Sequence, residues 1–313
     1  MSDAAKLTLT NPAEGTSPAR PWWKYLLRNR AAAAGAIFVV IVLVLALIGP
    51  SIYQNISPAA QRRLRNGTYQ DYASINAGPS ARHWLGADYL GRDTLTRLFL
   101  AMRVSLLVAL VVETINIVIG GGLGLLAGYF GGWADMVISR VADMLFAFPG
   151  LLLAILVSAI FGDLARQLYG SMGRLLLVAG ALSLVSWPLM ARYVRSETMS
   201  LKNRDYILAS QALGASGLDM IWYHLLPNVA WLIAVAATLD VASVIVNEAT
   251  LSLLGLGIEE PGASLGLMIF RASGKIESNP LQVFIPATAI TTLVLSFSFL
   301  GDGLRDALDP RSR

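Results

Sequence analysis

Residues 31–49 read AAAAGAIFVVIVLVLALIG, an unbroken apolar run that contains no charge. A helix rises about 1.5 Å per residue and a hydrocarbon core is about 30 Å thick, so this run is close to the length that crosses a bilayer. A secretory signal is the competing reading. The run is longer than the usual signal core, and Leu47-Ile48-Gly49-Pro50 offers no small-x-small cleavage site, so a membrane anchor is expected. Working outward, five more stretches qualify or nearly do: 104–128, 136–162, 175–191, 229–258 and 281–301. Backbone polar groups in lipid must be satisfied within their own segment, which makes helices of apolar runs this long. The expectation is an all-α, polytopic membrane protein with six transmembrane helices.

Composition points the same way. Of 313 residues 55% are hydrophobic and 14% charged, whereas soluble domains average about 45–50% apolar and about 25% charged. A mean hydropathy of +0.60 excludes a disordered or collagen-like chain. The absence of cysteine removes disulfides, Cys-ligated zinc, iron–sulfur clusters and thiol nucleophiles, and the two histidines, His83 and His224, lie too far apart in sequence to suggest a histidine-rich metal site. A net charge of +4 raises nucleic acid as a partner, but no basic stripe with interleaved aromatics exists, so none is expected.

The basic residues instead report orientation. Six spans place both termini on one side, and in the short loops and tails that side carries Lys6, Arg20, Lys24, Arg28, Arg30, Arg140, Arg192, Arg195, Lys202, Arg204, Arg305, Arg311 and Arg313. The other side carries Arg166, Arg174, Arg271 and Lys275, together with seven arginines from Arg62 to Arg103 in or beside one long loop. Long loops translocate despite their charge, so the short ones decide and both termini are expected in the cytoplasm. The resulting organisation is a cytoplasmic tail over 1–30, a first helix over 31–50, an external region over 51–99 with turns at Asn66-Gly67 and Gly78-Pro79, and a helical core over 100–310.

Within the spans, Gly120, Gly124 and Gly128 recur every fourth residue and leave one helix face nearly bare, which lets another helix approach closely. Gly122, Gly124 and Ala127 also fit a relaxed dinucleotide fingerprint, but no strand precedes them. Glu113, Asp143, Asp240 and Glu248 fall within or at the ends of spans, where an ionisable group is costly and faces a partner or a wet cavity. They read either as a proton or cation path or as carboxylates satisfied at helix contacts. A membrane hydrolase would need some of them as acid or base, yet no nucleophile and base stand at a recognisable spacing. No internal repeat is visible, which disfavours a secondary transporter built from two similar halves.

The loop over 192–228 does not fit a simple bundle. Its middle, 206–218, has no charge, yet it is too short and too polar to span. Asp205 reads as an N-cap, 206–213 as helix, and Gly214 as the C-terminal glycine that ends it. Ser216 with Asp219 reads as a capping box opening a second short helix, with Leu218, Ile221, Trp222 and Leu225 as its apolar stripe before Pro227. A helix of about eight residues is below the 12–15 that are marginal alone, so the first one needs a contact, either with its own bundle or with another protein.

The residues of this loop resemble a known signature. Ala209-Ser210, three residues, Gly214, nine residues, His224, one residue and Leu226-Pro227 have the spacing of the EAA motif of ABC-importer permeases, with Leu208 where that motif has Glu and His224 where it has Ile. The chain is also similar to the C-type permeases of dipeptide, oligopeptide and nickel importers. That likeness is carried by Leu85-Gly86-Ala87-Asp88, Gly91-Arg92-Asp93, Gly128-Tyr129-Phe130-Gly131-Gly132-Trp133, His224-Leu225-Leu226-Pro227-Asn228, residues 248–257, and Gly301-Asp302-Gly303-Leu304-Arg305-Asp306-Ala307-Leu308-Asp309-Pro310.

The resemblance implies the type I ABC-importer permease fold in a bacterial or archaeal plasma membrane, with 100–310 as the permease core and about 192–228 as the coupling loop. It implies a pore shared with a second, non-identical permease, two cytoplasmic ATPases, an external solute-binding protein, and di- or oligopeptides as the solute. The ATPase-coupling residues would be Asp205, Tyr206, Ala209, Ser210, Ala212, Leu213, Gly214, Ala215 and Ser216. The chain would bind no cofactor and be no enzyme, ATP and Mg being held by the ATPases. Consistently, no Gly-x-x-x-x-Gly-Lys-[Ser/Thr] loop is present, since Gly274-Lys275 is followed by Ile276. The rival is an ion-coupled secondary transporter that uses the intramembrane carboxylates.

Overall fold

A computed structural model describes residues 26 and 29–308; the tail expected over 1–30 and the orientation expected for the two termini fall almost wholly outside them. The described chain is helical, and its one extended pairing is an isolated bridge between Ala87 and Asp93.

Helix α1 (Arg30–Ile56) starts where the Asn29 side chain accepts from the N–H groups of Ala31 and Ala32. It runs through Pro50 rather than ending there as expected, because the turn is held from outside: Gly49 lies flat on the ring of Phe99, where a Cβ would stand 3.0 Å from Cγ. Helix α2 (Thr94–Phe130) contains a six-residue π segment, Asn116–Gly121. Gly131, at φ 65° and ψ −154°, turns the chain into α3 (Gly132–Phe146).

The third span expected over 136–162 is corrected here. It breaks at 147–149, because Pro149 lacks an N–H and biases the residue before it away from helix. The long apolar helix Gly150–Leu201 is in turn two helices, α4 (150–169) and α5 (171–201), folded back at Gly170 with φ 60° and ψ −139°. Gly150 faces Val185 and Gly162 faces Arg174, the pairing of an antiparallel hairpin. Five long apolar helices thus supply six crossings.

Helix α6 (Asp205–Ala212) is the short one, and α7 (Gly217–Leu253) follows it. The separate helix expected after Ser216 does not exist as such. It continues through Leu226 and Pro227 into the span, since Pro227 sits at the first positions after the π segment Met220–Leu225, where its missing N–H costs little. Residues 254–258, expected in this span, lie beyond it. Gly255 at φ 75° ends the helix with Gly255 N–H to Ser252 O (3.1 Å) and Leu256 N–H to Leu251 O (2.9 Å), a Schellman closure. Helices α8 (Leu265–Ser273) and α9 (Leu281–Leu308) complete the chain.

Helix α9 packs on α1 and α7, and α2 packs on α1, α5 and α7. Val108, Val112, Leu182, Ile245, Leu251 and Leu293 form the centre of the main core. Leu26 and Ala32 meet Ala307, so the two ends of the described chain lie together at one end of the bundle.

At the other end, 57–93 folds over the helix mouths; α1 and α2 both extend into the 51–99 stretch. Asp93 caps α2 by accepting from Thr96 N–H (2.9 Å), and it also takes His83 Nδ1 (2.9 Å) and Arg65 (3.4 Å). The Arg65 guanidinium lies 4.1 Å over the Tyr53 ring. Arg92, the neighbour of Asp93 in sequence, pairs with Asp88 (2.7 Å) and with Glu260, while Arg97 donates to the carbonyls of Pro261 (3.1 Å) and Gly262 (3.0 Å). Burial pushes the Glu260 carboxyl up, but Arg92, Arg97 and the Tyr89 hydroxyl outweigh it and hold the group below its ordinary 4.5. Two loops distant in sequence are thereby fastened by charge at one end of the bundle.

Candidate functional site

Three features lie toward the end of the bundle where the chain ends meet. The first is the knob made by α6. Its N-cap is Arg204, in extended backbone with φ −78° and ψ 145°, not Asp205 as expected; Asp205 is the first helical residue, where its carboxylate still faces the positive end of the helix. At the far end Gly214, φ 92°, closes a second Schellman motif through Gly214 N–H to Gln211 O (3.0 Å) and Ala215 N–H to Ser210 O (3.2 Å). Ser216 then caps the next helix by accepting from Asp219 N–H (3.3 Å).

One buried side chain, Ile207, anchors α6 in a small core with Val194, Met220, Leu225 and Val229. The remainder of the knob is open: Asp205, Tyr206, Leu208, Ala209, Ala212, Gly214 and Ser216 are exposed, Ser210 and Ala215 are half-buried, and Leu213 is 89% exposed. The stripe expected over Leu218, Ile221, Trp222 and Leu225 does not all turn inward. Ile221 and Leu225 are buried with Met220, while Leu218 and Trp222 face out, because the π turn changes the angular step between residues.

The second feature is the wall that supports the knob. Gly120, Gly124 and Gly128 bring α2 against α5: a Cβ on Gly120 would stand 2.6 Å from Trp187 O, on Gly124 2.6 Å from Ala191 O, and on Gly128 2.6 Å from Thr198 Cβ. The contact ends one turn above the loop that leads into α6.

The third is a cavity of about 1060 Å³ between α5 and α7. It begins at Arg204, Asp205 and Tyr206 of the knob and at Arg305 of α9, and climbs past Asn228 and Trp231 to Asp240 and Ser243. The four carboxylates singled out by sequence divide around it. Asp240 lines it and shares Asn116 with Glu113, the Asn116 Nδ2 standing 3.2 Å from Asp240 Oδ2 and 3.5 Å from Glu113 Oε1. Ser186 of α5 donates to Asn116 Oδ1 (2.9 Å). Glu248 is elsewhere and fully buried, accepting from Ser105 (2.8 Å) and Ser252 (2.8 Å), with Ser264 bonded to Ser252 (3.1 Å). Asp143 is on α3, outside the long apolar helices, half exposed and paired with Arg192 at 2.6 Å. Sequence reading missed Asn116 and the four serines; Asn116 stands three residues after Glu113 and so on the same helix face, a signal that was present.

A knob beside an inward-reaching cavity in a six-span bundle can be compared with known proteins. Residues 120–313 match the family of binding-protein-dependent transport system inner membrane components, and 17–79 match the N-terminal transmembrane domain of oligopeptide transport permease C. The chain belongs to this permease family. It is similar to the glutathione transport system permease protein GsiD of Pectobacterium atrosepticum, 38% identical over 94% of this chain and 92% of that one. The dipeptide transport system permease protein DppC of Alkalihalophilus pseudofirmus is 37% identical over 95% and 91%, and GsiD of Escherichia coli 36% over 97% and 94%. This permease is therefore a multi-pass inner-membrane subunit of an ABC importer. It is a transport subunit and not an enzyme, and it works with other components of such a system.

Proposed function

We propose that this permease carries di- or oligopeptides, forms the pore with a second, unlike permease, and is served by an external solute-binding protein and by two cytoplasmic ATPases that hold the ATP and Mg. The observation that carries this reading is the knob: an exposed helix with no charge beyond Asp205 at its first position, with Ile207 as its one buried side chain, and ended by Gly214 at φ 92°. Leu208 and Leu213 in water have no use within this chain, whereas a hydrophobic socket on an ATPase would cover them. Helix α6 with its flanks is then the coupling helix. Because α6 leads from α5 and into α7, motion of the knob rocks the two helices that wall the cavity. Peptides are the common chemistry of the relatives, one named for glutathione and the other for dipeptides.

Reconstitution tests the assembly. The purified permease is expected to hydrolyse no ATP, and dialanine uptake is expected only with the second permease, both ATPases and the loaded binding protein. Saturable hydrolysis by this chain alone, lost on a change within it, would overturn the reading.

Orientation has its own test, since the chain has no cysteine. Ser216→Cys is expected to resist an impermeant maleimide in intact cells and to react in inverted vesicles, with the chain termini on the same, cytoplasmic side. Labelling from outside would remove the knob from any ATPase.

A further inference from the structure

Glu113 and Asp240 come from different helices, α2 and α7, and their carboxyls converge on one amide, Asn116 Nδ2, which stands 3.5 Å from Glu113 Oε1 and 3.2 Å from Asp240 Oδ2. Two negative charges gathered at one amide in a site shielded from water repel one another, so the pair shares a proton rather than ionising twice. The donor count around the pair is short. Among the described residues its four oxygens receive one protein donor, the Asn116 amide, whose own oxygen is occupied by Ser186. No donor of the described residues reaches Glu113 Oε2, although Glu113 is only 5% exposed. Among the described residues no lysine or arginine forms an ion pair with either carboxyl.

The comparison with Glu248 is instructive, because that fully buried carboxyl is met by hydroxyls on both oxygens and does not line the cavity between α5 and α7. The Glu113–Asp240 pair differs on both counts: it lacks donors, and Asp240 opens onto the cavity that reaches down to the knob. The other charged groups lining that cavity, Glu197, Arg204, Asp205 and Arg305, come from the ends of α5 and α9 and from α6.

We infer that the Glu113–Asn116–Asp240 cluster is a binding site for a primary ammonium, such as the amino terminus of a peptide, on its way through the permease. An ammonium brings three N–H donors to oxygens that have too few, and a positive charge to a site with no protein cation. The exchange balances. The empty pair holds one proton and one negative charge; when an ammonium enters, the shared proton leaves to cavity water and N–H···O bonds replace it, with net charge conserved. The choice of a peptide amine rests on the peptide-importer reading, whereas the ammonium chemistry of the cluster stands apart from it.

Infrared difference spectroscopy of the assembled transporter in nanodiscs tests this without transport. Addition of propylammonium is expected to remove a protonated-carboxyl stretch from the wild type, and tetramethylammonium, which has the charge but no N–H, is expected to leave it. The response should be lost in Glu113→Gln and in Asp240→Asn, and kept in Asp240→Glu, which retains both carboxyls and so controls for folding. The proposal is overturned if propylammonium causes no change, if tetramethylammonium acts equally, or if the response survives in Glu113→Gln or Asp240→Asn. Uptake of dialanine against N-acetyl-dialanine gives the separate answer: an importer that carries no peptide refutes the solute assignment and not the ammonium site.

Discussion

Gly214→Trp is expected to abolish ATP-driven uptake by the assembled importer while the permease accumulates in the membrane at its normal level. Two costs can be separated. Gly214 has φ 92°, where a residue with a Cβ is strained by about 1–2 kcal/mol. That strain falls on an eight-residue helix tied to the bundle by Ile207, and the six crossings bury their surfaces without it. Apart from its immediate neighbours in sequence, no atom of the described residues lies within 4 Å of a Cβ built at Gly214, and the residue is exposed, so a side chain there starts into open space. Whatever it disturbs belongs to a partner. The expected pattern is loss of ATPase subunits from the purified complex, or residual hydrolysis with uptake reduced below a tenth. If the loop served only its own bundle, abundance would fall with the ATPase-to-permease ratio unchanged. Normal uptake would remove this glycine from coupling.

The spans were legible because length and apolarity alone decide whether a helix crosses a bilayer, and residues 31–49 or 281–301 need no partner to be read. Breaks inside the apolar sequence were harder. Pro149 and Gly150 stood in plain view in the middle of the expected third span, yet the hydrophobicity on either side concealed the interruption at 147–149. The π segments are a further limit. Periodicity arguments assume a constant angular step, and Met220–Leu225 departs from it, so that Met220 turns inward where Trp222 was expected. The sites were legible one helix at a time. Glu113 and Asp240 could be marked as costly from sequence, but their meeting across 127 positions through Asn116 is a property of the packing of α2 on α7. Likewise Arg92 and Asp93 are adjacent in one motif and serve two separate networks, one toward Glu260 and the other toward His83 and Arg65.

Gly124→Leu is expected to prevent accumulation of folded permease, the largest stability effect of any single change considered. Lipid offers helices no hydrophobic gain for leaving it, so α2 and α5 are held together by close contact along the stripe of Gly120, Gly124 and Gly128. At Gly124 a first carbon would already stand 2.6 Å from Ala191 O, 2.8 Å from Val194 Cβ and 3.1 Å from Arg195 N. Two of these are backbone atoms inside α5 and cannot swing aside as a side-chain tip could. Overpacking of this kind costs about 1–3 kcal/mol for small additions, and three further carbons must force the helices apart along the contact that supports the approach to α6. Gly122→Ala supplies the contrast. It lies two residues away in the same helix with nothing within 4 Å of its Cβ position, so there the substitution should stabilise by about 0.5–1 kcal/mol through helix propensity alone. Thermal denaturation of the purified permease in detergent, with Gly124→Ala as the mild member of the series, checks the order: Gly122→Ala at or above wild type, Gly124→Ala well below, and Gly124→Leu without a folded fraction to melt. Equal stability of Gly124→Ala and Gly122→Ala would mean that α2 and α5 do not meet at this face in the bilayer, and the wall between the pore and the knob would have to be built another way.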